Sequence, residues 1–176
     1  HSEEFLQKCL AAIGRQSHLP DRVVVVDNGS REHLLEKSLR TYPQAELLRM
    51  PENIGYAAGN NRAVETIGDC RWSVLLNVDA FPEPGWLEAL LRCFDEEPQA
   101  GLVGAKLVYP DGRLQEAGGI IFNDGSGWNY GRFDDPADPR YNFRREVDYC
   151  SGAAIRLRRA VFEQLGRCDQ RDARAS

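Results

Sequence analysis

Four consecutive β-branched residues, Val23-Val24-Val25-Val26, constrain this chain more than any other feature. A strand that is apolar on both sides has no face to give to water, so it needs cover above and below. The turn residues Asp27-Asn28-Gly29-Ser30 follow without a spacer, and the Ser30 hydroxyl suits the cap of a following helix. A buried strand delivered straight into a helix is the opening of a crossover unit.

The pattern then repeats. Phe5, Cys9, Leu10 and Ile13 share one helical face ahead of the valine run, and His18-Leu19-Pro20-Asp21 breaks that helix. Leu34, Leu35 and Leu39 give the next helix its apolar side. Residues 46–50 read as a strand stopped by Pro51, and 51–56 as a loop. Residues 57–67 form a helix rich in small side chains, and 72–76 a third strand running into Asn77-Val78-Asp79. Pro82 and Pro84 precede a helix with Trp86, Leu87, Leu90, Leu91 and Phe94 on one side, and 102–108 read as a fourth strand. Strands alternating with helices as far as residue 108 predict a three-layer α/β fold with a mostly parallel sheet.

Beyond Tyr109 the character changes. Pro110-Asp111-Gly112 is a turn, and 114–122 hold short strand-like pieces. Residues 123–142, rich in Gly, Asp and Pro, read as a long mobile loop. Strands over 146–149 and 154–157 and a short helix over 159–164 complete the reading.

Composition narrows the function classes. The 176 residues are 42% hydrophobic and 28% charged, ordinary for one globular domain. A net charge of −5 disfavours nucleic acid as a partner, which usually demands a basic face. No apolar run reaches the ~18 residues of a membrane span. The opening His1-Ser2-Glu3-Glu4 lacks the basic-then-apolar pattern of a secretory signal. Cys9, Cys70, Cys93, Cys150 and Cys168 are odd in number and widely spaced, which reads as reduced, mostly buried thiols of a cytosolic protein rather than a zinc site.

In an open parallel sheet, ligands sit beyond the carboxyl ends of the strands. Three polar clusters fall at such ends: Asp27 to Ser30, Asn53 to Asn61, and Asn77-Val78-Asp79. Each also has a plain structural reading. Asp27 and Asn28 serve a strand-to-helix turn, Asn53 and Gly55 a tight turn, and Asp79 a helix cap. Asp79 says more, because it closes the apolar strand Val74-Leu75-Leu76, where an acid needs a partner or a ligand. A carboxylate beside a diphosphate repels it unless a divalent cation lies between them, and Mg²⁺ or Mn²⁺ is held in that shared way. No G-x-G-x-x-G follows a strand and no G-x-x-x-x-G-K-[ST] occurs, which argues against a dehydrogenase or a P-loop enzyme.

Taken in order, Val23 to Ser30, Asn53-Ile54-Gly55-Tyr56-Ala57-Ala58-Gly59-Asn60-Asn61, Leu75-Leu76-Asn77-Val78-Asp79, Gly152-Ala153-Ala154, Arg158 to Phe162 and Leu165-Gly166 resemble family 2 glycosyltransferases, above all their rhamnosyltransferase-like branch. The resemblance implies a GT-A fold, a Rossmann-like three-layer architecture, and inverting transfer of a sugar from a nucleoside diphosphate sugar. It implies a saccharide or lipid-linked saccharide acceptor in bacterial surface polysaccharide synthesis. By the same resemblance Asp27, Asn28, Ser30, Asn53, Gly55, Asn60, Asn61 and Asn77 line the nucleotide. Asp79 is the last acid of a D-x-D-like motif holding Mg²⁺ or Mn²⁺, with Asn77 replacing the first.

Trp128, Ser151 and Gly152 fall where the acceptor side begins. Trp128 is either a sugar platform or a loop aromatic packed on the core. Ser151 and Gly152 either line the donor sugar or let two strands approach closely. The resemblance also puts a hydrophobic first strand ahead of His1 and the general base in a Glu-Asp pair beyond Ser176, with neither Asp169 nor Asp172 aligning to that base. The chain is therefore expected to be one partial domain, with 1–108 binding the nucleotide sugar and 109–176 beginning the acceptor side. It is expected to be poorly active alone, cytoplasmic, and open to peripheral attachment at the inner face of the membrane. Two other classes stand against this: a non-catalytic nucleotide-sugar-binding module, and a sugar-1-phosphate nucleotidyltransferase, which would want a Gly-rich basic phosphate loop not found here.

Overall fold

The computed structural model describes residues 2–30 and 35–170. The expectations placed on Leu34 and on Asp172 lie outside them. In chain order the elements are α1 (Ser2–Gly14), β1 (Val24–Asn28), α2 (Leu35–Leu39), β2 (Glu46–Met50), α3 (Tyr56–Ile67), β3 (Trp72–Leu76), α4 (Trp86–Glu96), β4 (Leu102–Gly104), β5 (Leu107–Val108), β6 (Leu114–Glu116), β7 (Gly119–Ile121), β8 (Gly127–Asn129), β9 (Ala154–Arg158) and α5 (Arg159–Gln164).

The valine run receives the two-sided cover it demands. Val23 and Val25 pack on one side against a cluster of Leu6, Leu10 and Tyr42, with Ile13, Leu35 and Leu39 around it. On the other side α3 lies so close that a Cβ on Gly59 would sit 3.6 Å from Val26 Cγ1. Helices α1 and α2 on one face and α3 on the other make three layers. The glutamates Glu3 and Glu4 in the first turn of α1 complement its dipole. Just past its end, the Gln16 amide donates to Ala12 O and Glu83 O, while its oxygen accepts from Leu87 N–H. One buried side chain thus ties the end of α1 to the start of α4.

The sheet is not mostly parallel. β1 and β2 pair parallel, Val24 opposite Glu46 through Asn28 opposite Met50. The larger sheet has the order β3-β9-β4, with β9 antiparallel to both neighbours. The alternating strands and helices before residue 108 carried no sign that a strand from residues 154–158 would enter between β3 and β4. That strand is buried at Ala154, Ile155, Arg156 and Leu157. Val64, Leu75, Ile155, Leu157 and Phe162 form the core on its α3 and α5 side. On its other side Arg156 is sealed between Trp72 and Phe94, 4.3 and 4.8 Å from the ring centroids, and donates to Leu90 O. Burial pulls its pKa down, but a guanidinium stays protonated in protein interiors.

Between the two sheets lies a cavity of about 810 Å³. β1 flanks it on one side and β3 on the other, and α1, α3 and α4 close it above and below. Among the described residues β1 pairs only with β2, and β3 only with β9, so each presents an unpaired edge.

Four further expectations change. Residues 102–108 are two short strands in different sheets, broken at Ala105-Lys106. The stretch 123–142 is folded rather than a long mobile loop: β8 pairs with β7, and a 3₁₀ turn at 139–141 buries Tyr141, whose hydroxyl meets Asp134. Residues 146–149 contribute a single bridge, Gly119 to Tyr149, instead of a strand. All five cysteines are free thiols, with Cys9 buried and the other four half-buried, so the chain is less thoroughly shielded at sulfur than expected. No described helix is long and apolar enough to cross a membrane.

Candidate functional site

The strand ends converge as the sequence predicts, and side-chain amides hold them together. At the end of β1, Asn28 donates to Asn53 Oδ1 at 2.9 Å and to Gly55 O at 3.3 Å, and accepts from Ile54 N–H at 3.0 Å. Asn53 Oδ1 also accepts from Gly55 N–H. The turn after β1 and the loop before α3 are therefore one unit. Gly29 makes this possible: at φ +80°, a Cβ there would lie 2.4 Å from the Glu52 carbonyl carbon.

Asp27 sits beneath that unit, 2% exposed. Its oxygens accept from Ser30 N–H at 2.9 Å and from Arg49 Nε at 3.1 Å, and Arg49 also reaches Glu36. Burial raises the carboxyl pKa, but the bonds from Ser30 and Arg49 outweigh it and hold the group below the usual carboxylate range. Asp27 is thus an ionised keystone of the turn.

α3 starts at Tyr56, which bridges to the other half of the molecule by donating to Gly152 O at 2.7 Å. The fit is close, since a Cβ on Gly152 would meet the Tyr56 hydroxyl at 2.8 Å. Ala153 O accepts from Asn77 N–H at the end of β3, and Ala153 N–H reaches Ser151 Oγ. The turn 151–153 therefore joins the α3 start to the β3 end. Asp79 stands exposed two residues further on. Its charge is felt by Cys9, whose thiol is pushed up to about 11, first by burial and then by Asp79. Cys9 Sγ contacts Asn77 O.

Asn60 and Asn61 part company. Asn60 is half-buried and donates back to Tyr56 O within α3. Asn61 is buried, and its amide clamps the backbone of Cys168 from both sides, donating to the carbonyl at 2.9 Å and accepting from the N–H at 3.0 Å. Its place is a tie between α3 and the segment after α5. Trp128 lies on the β7–β8 hairpin, 53% exposed, which overturns packing on the core. No hydrogen bond or ring contact among the described residues joins it to the rim formed by the other segments.

Two contributors escaped the sequence reading. Tyr56 was read only as part of a motif. Glu116 was not singled out at all, yet it is 1% exposed and its Oε1 accepts from Ser151 N–H at 2.9 Å. Strand periodicity held the signal: in Leu114-Gln115-Glu116 the first and third residues share a face, so an inward Leu114 carries Glu116 inward as well.

The described residues contain no group of three or more His, Cys, Asp or Glu able to hold a metal ion by themselves. A single exposed carboxylate at the rim fits only a cation shared with a ligand's own oxygens.

Set beside known proteins, residues 1–166 match glycosyl transferase family 2. The chain belongs to this family. It is 26% identical, over 190 aligned positions, to the N-acetylglucosaminyl-diphospho-decaprenol L-rhamnosyltransferase of Mycobacterium tuberculosis, a match covering 94% of this chain and 61% of that protein. It is 27% identical over 178 positions to the O-antigen biosynthesis protein RfbC of Myxococcus xanthus, covering 96% of this chain and 14% of that one. Residues 1–349 of S. aureus TarS superpose with a TM-score of 0.63 at 16% identity, covering 99% of this chain and 49% of that structure. That last likeness is one of fold, and it accords with a GT-A family 2 architecture. The chain spans about three fifths of the mycobacterial relative and about half of the TarS structure.

Proposed function

We propose that this family 2 chain binds the nucleoside diphosphate sugar of an inverting glycosyltransferase that serves bacterial surface polysaccharide synthesis. The observation that carries the reading is the rim: four segments distant in sequence, 27–30, 53–56, 77–79 and 151–153, are tied into one polar edge by Asn28, Tyr56 and the Asn77 N–H. Such an edge at the carboxyl ends of β1 and β3 is where a nucleotide is received in α/β folds.

In this reading the 28–30 and 53–55 turns hold the nucleoside, and Asp27 keeps them in register without facing solvent. Asp79 holds the diphosphate end together with Mg²⁺ or Mn²⁺, and the bound cation supplies positive charge against the leaving diphosphate. The turn 151–153 faces the sugar. The acceptor oxygen bonds to the anomeric carbon from the side opposite the diphosphate as that carbon's bond to the diphosphate oxygen breaks, and the hydroxyl proton passes to a base outside the described residues. The mycobacterial relative's name specifies an L-rhamnosyl group and a diphospho-decaprenol-linked N-acetylglucosamine. It supports a lipid-linked saccharide as acceptor here, and with it action at a membrane surface.

The test is calorimetric. UDP and dTDP are titrated into the wild-type chain and Asp79→Ala, with and without Mn²⁺. The reading expects at least one nucleotide to bind, binding to tighten with Mn²⁺, and the Mn²⁺ effect to vanish in Asp79→Ala while the melting temperature holds. A Mn²⁺ effect equal in both proteins removes Asp79 from the metal, and the absence of any binding removes the donor site.

A further inference from the structure

A carboxyl group sealed in a protein interior costs stability unless its hydrogen bonds are complete. Glu116 does not meet that condition. It is 1% exposed, Oε1 accepts one bond from Ser151 N–H, and Oε2 has no hydrogen-bond partner. Its strand neighbours do not need it: Leu114, on the same face, is fully buried and apolar, and Leu107 lies opposite in β5. A leucine-like side chain would suit that environment better than an acid does.

What the acid does is hold a turn. Ser151 is the first residue of the segment whose next two carbonyls accept from Tyr56 Oη and from Asn77 N–H. Both of those groups belong to the rim. Through one 2.9 Å bond, Glu116 on β6 therefore sets the height of a turn that two rim elements grip from above. β6 in turn is anchored in the later part of the chain, through Leu114 N–H to Asp134 O, Phe133 N–H to Leu114 O, and Ala117 N–H to Tyr130 O. The carboxyl is thus a side-chain link between the 109–149 region and the donor rim, beside the backbone bridge from Gly119 to Tyr149.

We propose that Glu116 is a positioning residue for donor binding, holding the Ser151-Gly152-Ala153 turn at the height at which it meets the sugar end of the nucleotide sugar. This rests on the donor reading of the rim. It implies an uncommon separation of stability from function: removing the acceptor atom relieves a buried, half-satisfied acid while releasing the turn.

The experiment compares wild type, Glu116→Gln and Glu116→Leu. Glutamine keeps an oxygen for Ser151 N–H, whereas leucine fills the space without one. Whichever of UDP and dTDP binds wild type is titrated with Mn²⁺ present, with its nucleotide sugar titrated in parallel. Melting temperature and hydrogen exchange at 151–153 are recorded for each protein. The expected result is that Glu116→Leu melts no lower than wild type, exchanges faster at Ser151, and binds the nucleotide sugar at least about tenfold more weakly, the scale of one lost hydrogen bond. Glu116→Gln is expected to stay within about threefold of wild type.

Equal affinity in wild type and Glu116→Leu overturns the proposal and leaves the donor reading intact. Early melting of both Glu116→Leu and the more adaptable Glu116→Met makes Glu116 a fold residue and overturns it as well. If wild type binds neither nucleotide nor nucleotide sugar, the donor reading fails and takes this role with it, even where exchange at Ser151 responds to Glu116.

Discussion

The two halves of the split sheet use similar strands to different ends. β1 and β9 are both five residues long, and each brings three apolar side chains to its sheet. β9 has a partner on each edge and is buried over four of its five positions. β1 has one partner among the described residues, and its three valines remain only half-buried, facing the 810 Å³ cavity. A β-branched run pays off as a core only when both edges and both faces are covered, and here helices cover the faces while one edge stays open. The β3-β9-β4 half is therefore the cooperative core. The β1-β2 half is held by its helices and by the side-chain bonds of Asp27, Asn28 and Gln16.

That contrast can be broken or sharpened by mutation. The largest effect is expected in β9. Leu157→Ala should cost about 2–5 kcal/mol, as leucine deletions in tight cores do, and chemical unfolding should show it as a lower midpoint. Gly29→Ala comes next, at roughly 1–3 kcal/mol, because it forces a left-handed conformation and places a Cβ 2.4 Å from backbone. The same melt should show weaker nucleotide binding alongside, since the 28–30 turn moves. Val25→Ala in β1 should cost less, about 1 kcal/mol, because its side chain is already half-exposed. Parity between Val25→Ala and Leu157→Ala would remove the distinction between the halves.

The smallest effects are in pH dependence, and the two buried acids should act with opposite sign. Asp27 has its folded pKa lowered from 3.8, because the Ser30 and Arg49 bonds outweigh burial. Its contribution is present above 3.8 and is lost as pH falls through the lower folded value. Asp27→Asn should therefore flatten the acid limb of a melting-temperature profile. Glu116 has its folded pKa raised from 4.5, first by burial, with the Ser151 bond only partly opposing it. Its contribution is complete below 4.5 and is lost as pH rises through the raised value. Glu116→Gln should remove that loss. Tyr149 and Cys150, whose own values are raised partly by Glu116, face the same carboxyl. Melting profiles between pH 3 and 8 separate the two limbs.

Much of this was legible in the residues, and what was missed has a common cause. Local period and punctuation placed β2, β3 and α5 within a residue or so and found the apolar side of α4, because each is defined by its own apolar spacing. The clusters at 27–30, 53–55 and 77–79 were legible as strand ends for the same reason. The insertion of β9 between β3 and β4 was not, since nothing in Ala154–Arg158 names its partners 50 and 80 residues earlier in the chain. Asn61 reads locally as the start of a polar helix face; only the fold brings Cys168 to its amide. Glu116 hid in a three-residue strand too short for its alternation to stand out, beside a Gly-rich stretch that reads as loop.

The central claim is that the polar rim, which lines one end of the cavity through Asn28, Ser30, Tyr56 and Asn77, receives the ligand, and not the apolar interior between β1 and β3. Hydrogen exchange of the whole chain with and without saturating nucleotide and Mn²⁺ addresses it directly. The account predicts slowed exchange at 28–30, 54–56, 77–79 and 151–153, with 24–26 and 73–75 unchanged. Protection confined to 24–26 and 73–75 would put the ligand in the apolar interior and contradict the account.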